Sequence, residues 1–277
     1  MKKLIVCKFG GTSLANVENI KKVCAIIKSD PRRRIIVVSA PGKRDINDTK
    51  ITDTLFDIFY RKERGDAFDA PYEEFRKRFH EIEADFGLTT NLDEIMNEFY
   101  TEIPKGNVDY MTSTGEYFMA KVMAAILGFA FCDLDKSHAI CFDNNGQIDL
   151  ELSRKNFAPW KDKKVVVPGF YGTMPNGAIK ILPRGGSDIT GAIIANIADA
   201  DIYENWTDVD GVYDRDPAKH VDAKIFETIT YDEVEALARA GANVLHPDCI
   251  KYVRDKKIPI NLRNTFNPMG QGTIIKN

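Results

Sequence analysis

The chain has 277 residues, of which 44% are hydrophobic and 29% are charged, and its formal net charge is −3. This length suffices for one large α/β domain or two lobes that share a sheet, and the composition excludes a disordered chain. The slightly negative charge disfavours nucleic-acid binding, which usually requires a basic excess.

The apolar run at residues 4–7 ends at Lys8, which makes it too short for a signal peptide, and no apolar stretch approaches membrane-spanning length. The five cysteines form no C-x-x-C pair. They are typical of small core residues in a reducing compartment. We therefore expect a cytoplasmic protein that binds neither membrane nor nucleic acid.

The N-terminal segment reads as a βαβ unit. Residues 3–7 are predicted to form a buried strand, apolar spacing predicts a helix over about 16–29, and 34–39 is a second buried strand. The crossover between the two strands should be right-handed. The basic block at 32–34 is interpreted as a solvated loop between helix and strand.

A helical insert is predicted over about 52–127. Residues 52–103 carry charges and aromatic side chains at helical spacing, and the aromatic residues are interpreted as packing surface rather than a cofactor site. A further helix is predicted at 115–127. Beyond the insert, further elements alternate at 164–168 (strand), 169–182 (hairpin), 187–196 (helix), 202–206 (strand), 231–240 (helix), 258–262 (strand) and 272–275 (strand). The pattern indicates an α/β fold with a mainly parallel sheet.

Three polar strand ends that carry glycine point to phosphoryl transfer. They are KFGGTS at 8–13, LPRGGSDITG at 182–191 and NWTDVDGVYD at 205–214. Small residues let backbone N–H groups approach an anion, and the N-terminus of the helix after 186 adds a partial positive charge. The sequence contains no P-loop, dinucleotide fingerprint or nucleophile elbow, so the glycines do not belong to any of these three common motifs of α/β proteins.

At these segments the chain resembles the amino acid kinase superfamily and, within it, the aspartate kinases. The matching segments follow the family's order over nearly the whole chain: KFGGTS at 8–13, Ser39 with Thr52, STGE at 113–116, GFYG at 169–172, RGGSD at 184–188, WTDVDGVY at 206–213, DP at 216–217 and GANVLHP at 241–247. The resemblance implies a three-layer αβα sandwich with a mainly parallel central sheet. It also implies one kinase domain over 1–277, with an amino-acid lobe at 1–180 and a nucleotide lobe at 181–277.

The same resemblance implies that ATP phosphorylates the β-carboxylate of L-aspartate to 4-phospho-L-aspartate. Mg²⁺ is expected to be held mainly through ATP phosphates, without a protein metal site. Two anions must meet in line, so charge neutralisation and positioning should dominate catalysis. The implied residues are Lys8 and Asp188 for catalysis; Ser39, Thr52, Glu116, Phe170, Arg184 and Ser187 for the amino acid; and Lys8, Gly10, Gly11, Thr207, Asp208, Tyr213 and Asp216 for the nucleotide.

Individual roles follow from the same resemblance. Lys8 would lie against the transferring phosphoryl group, and Gly10 and Gly11 would offer backbone N–H groups to phosphate oxygens. Arg184 would anchor the substrate α-carboxylate, for which a guanidinium is suited, and Glu116 would bind its ammonium group. Asp188 would organise the catalytic lysine and the charge around the phosphates.

The chain also departs from the pattern of many aspartate kinases. Asn243 and Ala218 stand where many members have cations beside ATP, so we expect weaker ATP affinity. Regulated members continue into ACT domains where this sequence stops, so we expect no feedback inhibition through such domains. A homodimer is the expected assembly. Two alternatives stay open: a kinase for another amino acid, small carboxylate or carbamate, and a weakly active nucleotide- or amino-acid-binding regulatory subunit.

Overall fold

The computed structural model describes residues 3–183, 185–215, 220–239 and 245–277. The helices of these residues are α1 (Val17–Ser29), α2 (Ile51–Arg64), α3 (Asp69–Asp85), α4 (Leu92–Glu102), α5 (Val108–Leu127), α6 (Leu134–Ser137), α7 (Leu150–Phe157), α8 (Gly186–Ile197), α9 (Tyr231–Arg239) and α10 (Asp248–Val253). The strands are β1 (Ile5–Phe9), β2 (Arg33–Val38), β3 (Ala130–Phe131), β4 (Val165–Pro168), β5 (Tyr171–Thr173), β6 (Ile179–Ile181), β7 (Ile202–Thr207), β8 (Thr228–Ile229), β9 (Ile260–Asn264) and β10 (Thr273–Ile275).

Eight of the described strands form one sheet in the order β3-β4-β2-β1-β7-β9-β10-β8, and β5 and β6 form a separate hairpin. Within the large sheet every neighbouring pair is parallel except β9 and β10. β1 lies between β2 and β7, which places its C-terminal end in the middle of one sheet edge. The predicted α/β fold with a mainly parallel sheet is confirmed.

Two hydrophobic cores lie on opposite faces of the sheet, because successive residues of a strand point to opposite sides. Val6 and Val37 pack with α8 on one face. Ile5, Cys7 and Ile36 pack with α1 and the helices of the insert on the other. Helices therefore cover both faces, and the three-layer αβα sandwich is confirmed. None of the helices in the described residues combines the length and the apolar character that crossing a membrane requires.

Two predictions about local structure were wrong. α5 begins at Val108, seven residues before the predicted start, because the Asn107 side chain caps the helix by accepting a hydrogen bond from the Tyr110 amide at 2.8 Å. The basic block at 32–34 is not a uniformly solvated loop. Arg33 begins β2, is 8% exposed and forms an ion pair with Glu204 at 2.8 Å, because β2 and β7 both pair with β1.

Candidate active site

A cavity of about 1330 Å³ opens at the C-terminal ends of β1, β2 and β4, beside the N-terminus of α8. Ligands of open parallel sheets usually bind at this edge, outside the carboxyl ends of the strands. The cavity is lined by eight of the residues that the sequence singled out: Lys8, Gly11, Ser39, Thr52, Glu116, Phe170, Ser187 and Asp188.

Lys8 and Asp188 form an ion pair in this cavity, with 2.6 Å between Nζ and Oδ1 and side-chain exposures of 9% and 20%. Asn205 Nδ2 also donates a hydrogen bond to Asp188 Oδ1, at 3.1 Å. Lys8 and Asn205 are register partners on β1 and β7, so both project from the same face of the sheet. The strand pairing thus brings an ammonium group, a carboxylate and an amide together at one point of the cavity.

The first turn of α8 forms another part of the wall. Gly185 precedes the helix with φ +80°, a conformation that glycine adopts without strain. Gly186, Ser187 and Asp188 follow and line the cavity. The Asp188 amide already donates to the Gly185 carbonyl at 2.9 Å. The start of the helix still carries the partial positive charge of the helix dipole, and the N–H groups before Asp188 have no partner required within the helix. The site is therefore suited to an anionic group.

Phe170 lies between β4 and β5 with φ +77°, an uncommon conformation for a residue other than glycine. Its amide donates to Thr190 Oγ1 at 2.9 Å, which attaches the bend to α8. The backbone strain of such a residue is about 1–3 kcal/mol and commonly occurs at binding sites. The bend places Phe170 in the cavity wall, between β4 of the sheet and β5 of the hairpin.

Glu116 is 5% exposed, and its Oε2 has no hydrogen-bond partner among the described residues. Burial raises the pKa of this carboxyl group to about 8, and a backbone hydrogen bond from Ala40 offsets that rise only in part. Gly115 permits the close approach to the strand end, because a Cβ there would lie 2.8 Å from the Ala40 Cβ. A buried carboxyl group with a free oxygen in a cavity is a receptor for a cation or a donor.

The turns after β1 and β2 touch each other at two glycines. The Gly42 amide donates to the Gly11 carbonyl at 2.9 Å, and a Cβ on Gly11 would lie 2.9 Å from the Ala40 carbonyl oxygen. Only glycine permits this approach of two backbones. Both turns line the cavity with main chain as well as side chains.

Four further predicted nucleotide residues do not line the cavity; they are Gly10, Thr207, Asp208 and Tyr213. The Gly10 amide donates to the Trp206 carbonyl at 3.1 Å, so this N–H group is already used, and a Cβ on Gly10 would lie 3.2 Å from Lys8 Nζ. Thr207 ends β7 and donates to the adjacent Asp208 at 3.1 Å. Tyr213 pairs with Ile225 in an isolated bridge. The predictions for Arg184 and Asp216, and the departures at Ala218 and Asn243, lie outside the described residues.

Sequence reasoning missed several polar groups that line the cavity or bond to its lining. Asn205 was not predicted, although its place in β7 opposite Lys8 puts it on the functional face. Four lysines of the lining were also missed, since lysine is common on surfaces and gave no local signal; they are Lys43, Lys50, Lys180 and Lys251. The described part of the chain contains no group of three or more His, Cys, Asp or Glu side chains arranged to hold a metal ion.

Comparison with known proteins is consistent with this geometry. Residues 3–264 match the model of the amino acid kinase family. Over 97% of its length the chain is 33% identical to aspartokinase 3 of Bacillus subtilis, and over 98% it is 30% identical to the aspartokinase of Chlamydia trachomatis. It covers 62% and 64% of those two proteins. The crystal structure of Clostridium acetobutylicum aspartate kinase superposes with a TM-score of 0.93 at 38% identity, over 99% of this chain and 63% of that one. The chain thus spans less than two thirds of each relative.

Proposed function

The chain belongs to the amino acid kinase family, and from that premise we propose that it transfers the γ-phosphoryl group of ATP to the β-carboxylate of L-aspartate. The products would be ADP and 4-phospho-L-aspartate. One observation carries the proposal: a single cavity contains the Lys8–Asp188 pair, the N-terminus of α8 and the buried Glu116. The similarity to aspartokinases supports aspartate as the acceptor.

The reaction joins two anions, so the protein must chiefly neutralise charge and align the reactants. A β-carboxylate oxygen forms a bond to the γ-phosphorus, and the bond from that phosphorus to the bridging oxygen breaks, leaving its electron pair on ADP. Lys8 would neutralise the phosphoryl oxygens during the transfer, while Asp188 holds its ammonium group in place. The N–H groups of the first turn of α8 would add hydrogen bonds to the same charge.

The amino acid would lie on the other side of the cavity. Glu116 would bind the substrate ammonium group with its free oxygen, and Ser39, Thr52, Phe170 and Ser187 would complete the pocket. Arg184 remains our proposed ligand for the α-carboxylate. We also propose an amino-acid lobe at 1–180 and a nucleotide lobe at 181–277, with Arg184 and Ser187 reaching the amino acid from the second lobe.

On the nucleotide side, Gly11 would approach the phosphates through its backbone, and Thr207, Asp208 and Tyr213 would contact adenosine. Asp216 would also belong to the nucleotide site. Mg²⁺ would enter with ATP and be held mainly by phosphate oxygens, which suits an ion that retains water and takes few protein ligands. The ion would supply further positive charge to the phosphates. We propose a homodimer as the assembly.

The proposal is tested by measuring ADP release with Mg²⁺-ATP and a panel of amino acids, with hydroxylamine added to trap an acyl phosphate. We expect turnover that depends on aspartate and yields a hydroxamate. Turnover with a different amino acid or carboxylate would change the substrate within the same family. Saturable ATP binding without turnover for any acceptor would favour a regulatory subunit and contradict the proposal.

The Lys8→Met variant tests the role of the Lys8 charge in the same assay. Because the methionine keeps the length of the side chain and removes the charge, we expect kcat to fall about 1000-fold or more. Lys28→Met, at the exposed end of α1, is the control and should leave kcat unchanged. Thermal unfolding of both variants would show that they are folded. A Lys8→Met protein that kept a tenth of the parental kcat would refute the role assigned to Lys8.

A further inference from the structure

The segment between β2 and α2, residues 41–50, is irregular and forms part of the cavity wall with Pro41, Gly42, Lys43 and Lys50. It connects two residues that we assign to the amino-acid pocket, Ser39 and Thr52. An irregular segment is held in place only by the contacts that its backbone and side chains make. The position of the segment therefore depends on its contacts with residues elsewhere in the chain.

Arg78, on α3 of the helical insert, makes those contacts. It is 4% exposed, and its NH2 group donates to the Gly42 carbonyl at 2.5 Å and to the Ala15 carbonyl at 2.8 Å. Its NH1 group donates to Asp48 Oδ2 at 2.7 Å. Gly42 in turn donates its amide to the Gly11 carbonyl. One guanidinium thus joins the segment at 41–48 to the chain that follows β1.

The charged groups around Arg78 stabilise its contact with Asp48. The Asp48 carboxylate also accepts hydrogen bonds from Arg44, at 3.0 Å from Nε and 2.9 Å from NH2. The bonds from Arg44, together with the one from Arg78, hold the pKa of Asp48 well below its usual range. Arg44 reaches α3 as well, with 3.1 Å between NH1 and Glu81 Oε2. Arg78 lies outside the lining of the cavity, so it would act on the substrate through the segment and not by contact.

We propose that Arg78 is a positioning residue, which fixes the 41–48 segment against the glycine turn after β1 and so sets the spacing between Ser39 and Thr52. The inference rests on the proposed function, because it assigns the effect of Arg78 to the amino-acid pocket of that reaction. Loss of the guanidinium releases two backbone carbonyls and a carboxylate at once. The cavity wall then shifts, and misplacement by about 1 Å costs up to about 100-fold in rate.

The test compares Arg78→Met and Arg78→Lys with Arg76→Met. Arg76 is the matched control: it lies on the same helix and pairs with Glu73 and Asp93, but it touches neither turn. For Arg78→Met we expect kcat/KM for aspartate to fall about 10- to 100-fold, mainly through a higher KM. Arg78→Lys should recover part of this loss, since lysine keeps the charge and lacks the planar fork. Arg76→Met should stay within about twofold of the parent.

The kinetics are measured well below the unfolding temperature of each variant, and if Arg78→Met fails to fold, Arg78→Lys and Asp48→Asn carry the test. Folded Arg78 variants with parental KM and kcat would overturn the inference, as would equal losses in Arg76→Met. If the parent turned over no acceptor, the proposed function would fail by itself. Calorimetric affinity for Mg²⁺-ATP would then decide on Arg78, because the 41–48 segment contacts the Gly11 turn that we place at the phosphates. Weaker binding than in Arg76→Met would support the positioning of that turn by Arg78, and equal binding would refute it.

Discussion

Two glutamates of this chain are almost equally buried, and they have opposite surroundings. Glu204 on β7 is 4% exposed, and Glu116 on α5 is 5% exposed. The Glu204 carboxylate accepts hydrogen bonds from Arg33 Nε at 2.8 Å, from Arg33 NH2 at 3.1 Å and from the Trp206 indole N–H at 3.0 Å. Glu116 faces a cavity and keeps one carboxylate oxygen without a partner in the described residues.

The difference separates a structural charge from a receptive one. Around Glu204, guanidinium groups also cover the Trp206 ring, with Arg33 5.3 Å and Arg263 4.4 Å from its centroid, so the cluster is closed on itself. Around Glu116, burial raises the pKa of the carboxyl group, and no cation of the described residues offsets that rise. A fold keeps such a carboxyl group where a ligand supplies the missing partner. Depth of burial alone therefore does not identify a site; the partners do.

The largest expected effect concerns the closed cluster. Glu204→Gln leaves two arginines near the sheet without their carboxylate, and breaking a buried pair in this way typically costs about 3–5 kcal/mol. We expect the free energy of unfolding, measured in urea, to fall by that amount. The kcat of the protein that remains folded should stay within about twofold of the parent, because the cluster lies on the face of the sheet opposite to Lys8.

Arg32→Ala is the control for this prediction. Arg32 directly precedes Arg33, and its NH2 group lies 2.6 Å from Asp30 Oδ2, but its side chain is 43% exposed. Exposed ion pairs contribute about 0–1 kcal/mol, so the variant should be nearly as stable as the parent. Similar losses of stability in Arg32→Ala and Glu204→Gln would mean that closure of the cluster has no special importance.

Glu116→Gln should show the reverse pattern, with a smaller effect. The amide keeps the shape but loses the charge that would bind the substrate ammonium group, and a charge-assisted hydrogen bond contributes about 1.5–3 kcal/mol. We expect KM for the amino acid to rise roughly 10- to 100-fold in steady-state assays at pH 9, where most Glu116 carboxyl groups are ionised. Glu116 forms no ion pair within the described part of the chain, so stability should not fall. A destabilised variant with parental KM would assign Glu116 to structure instead.

The sequence predicted the frame of the site because its signals are local. Glycines at the strand ends, such as Gly11 and Gly185, and apolar runs of strand length mark where a parallel sheet turns. Parallel strands then bring those turns to one edge without any knowledge of register. The ion pair of Lys8 with Asp188 arises at that edge, although the roles of both residues remain predictions.

The rest depends on which segments pack together. Arg33 and Glu204 are 171 residues apart in the chain and meet only because both flanking strands pair with β1. Arg78 contacts Gly42 from a different helix, and no spacing in the sequence indicates that contact. Short elements such as β3 and α10 contain too few residues to show a period. The partners of buried charges therefore could not be predicted from the sequence and were found only in the structure.

The smallest effect that sharpens the comparison is a dependence on pH. Burial raises the pKa of Glu116 to about 8, so this carboxyl group is mostly protonated in the free protein at pH 7. The stability that the protonated group contributes is present below about pH 4.5 and is lost as the pH rises through 8. A substrate ammonium group needs the ionised form, so apparent affinity for the amino acid should increase roughly fivefold between pH 7 and pH 8. Titration calorimetry from pH 6.5 to 9 would measure the rise and its plateau. Glu116→Gln should give a flat profile, whereas Arg32→Ala should keep the slope; an equally steep slope in Glu116→Gln would assign the titration to another group.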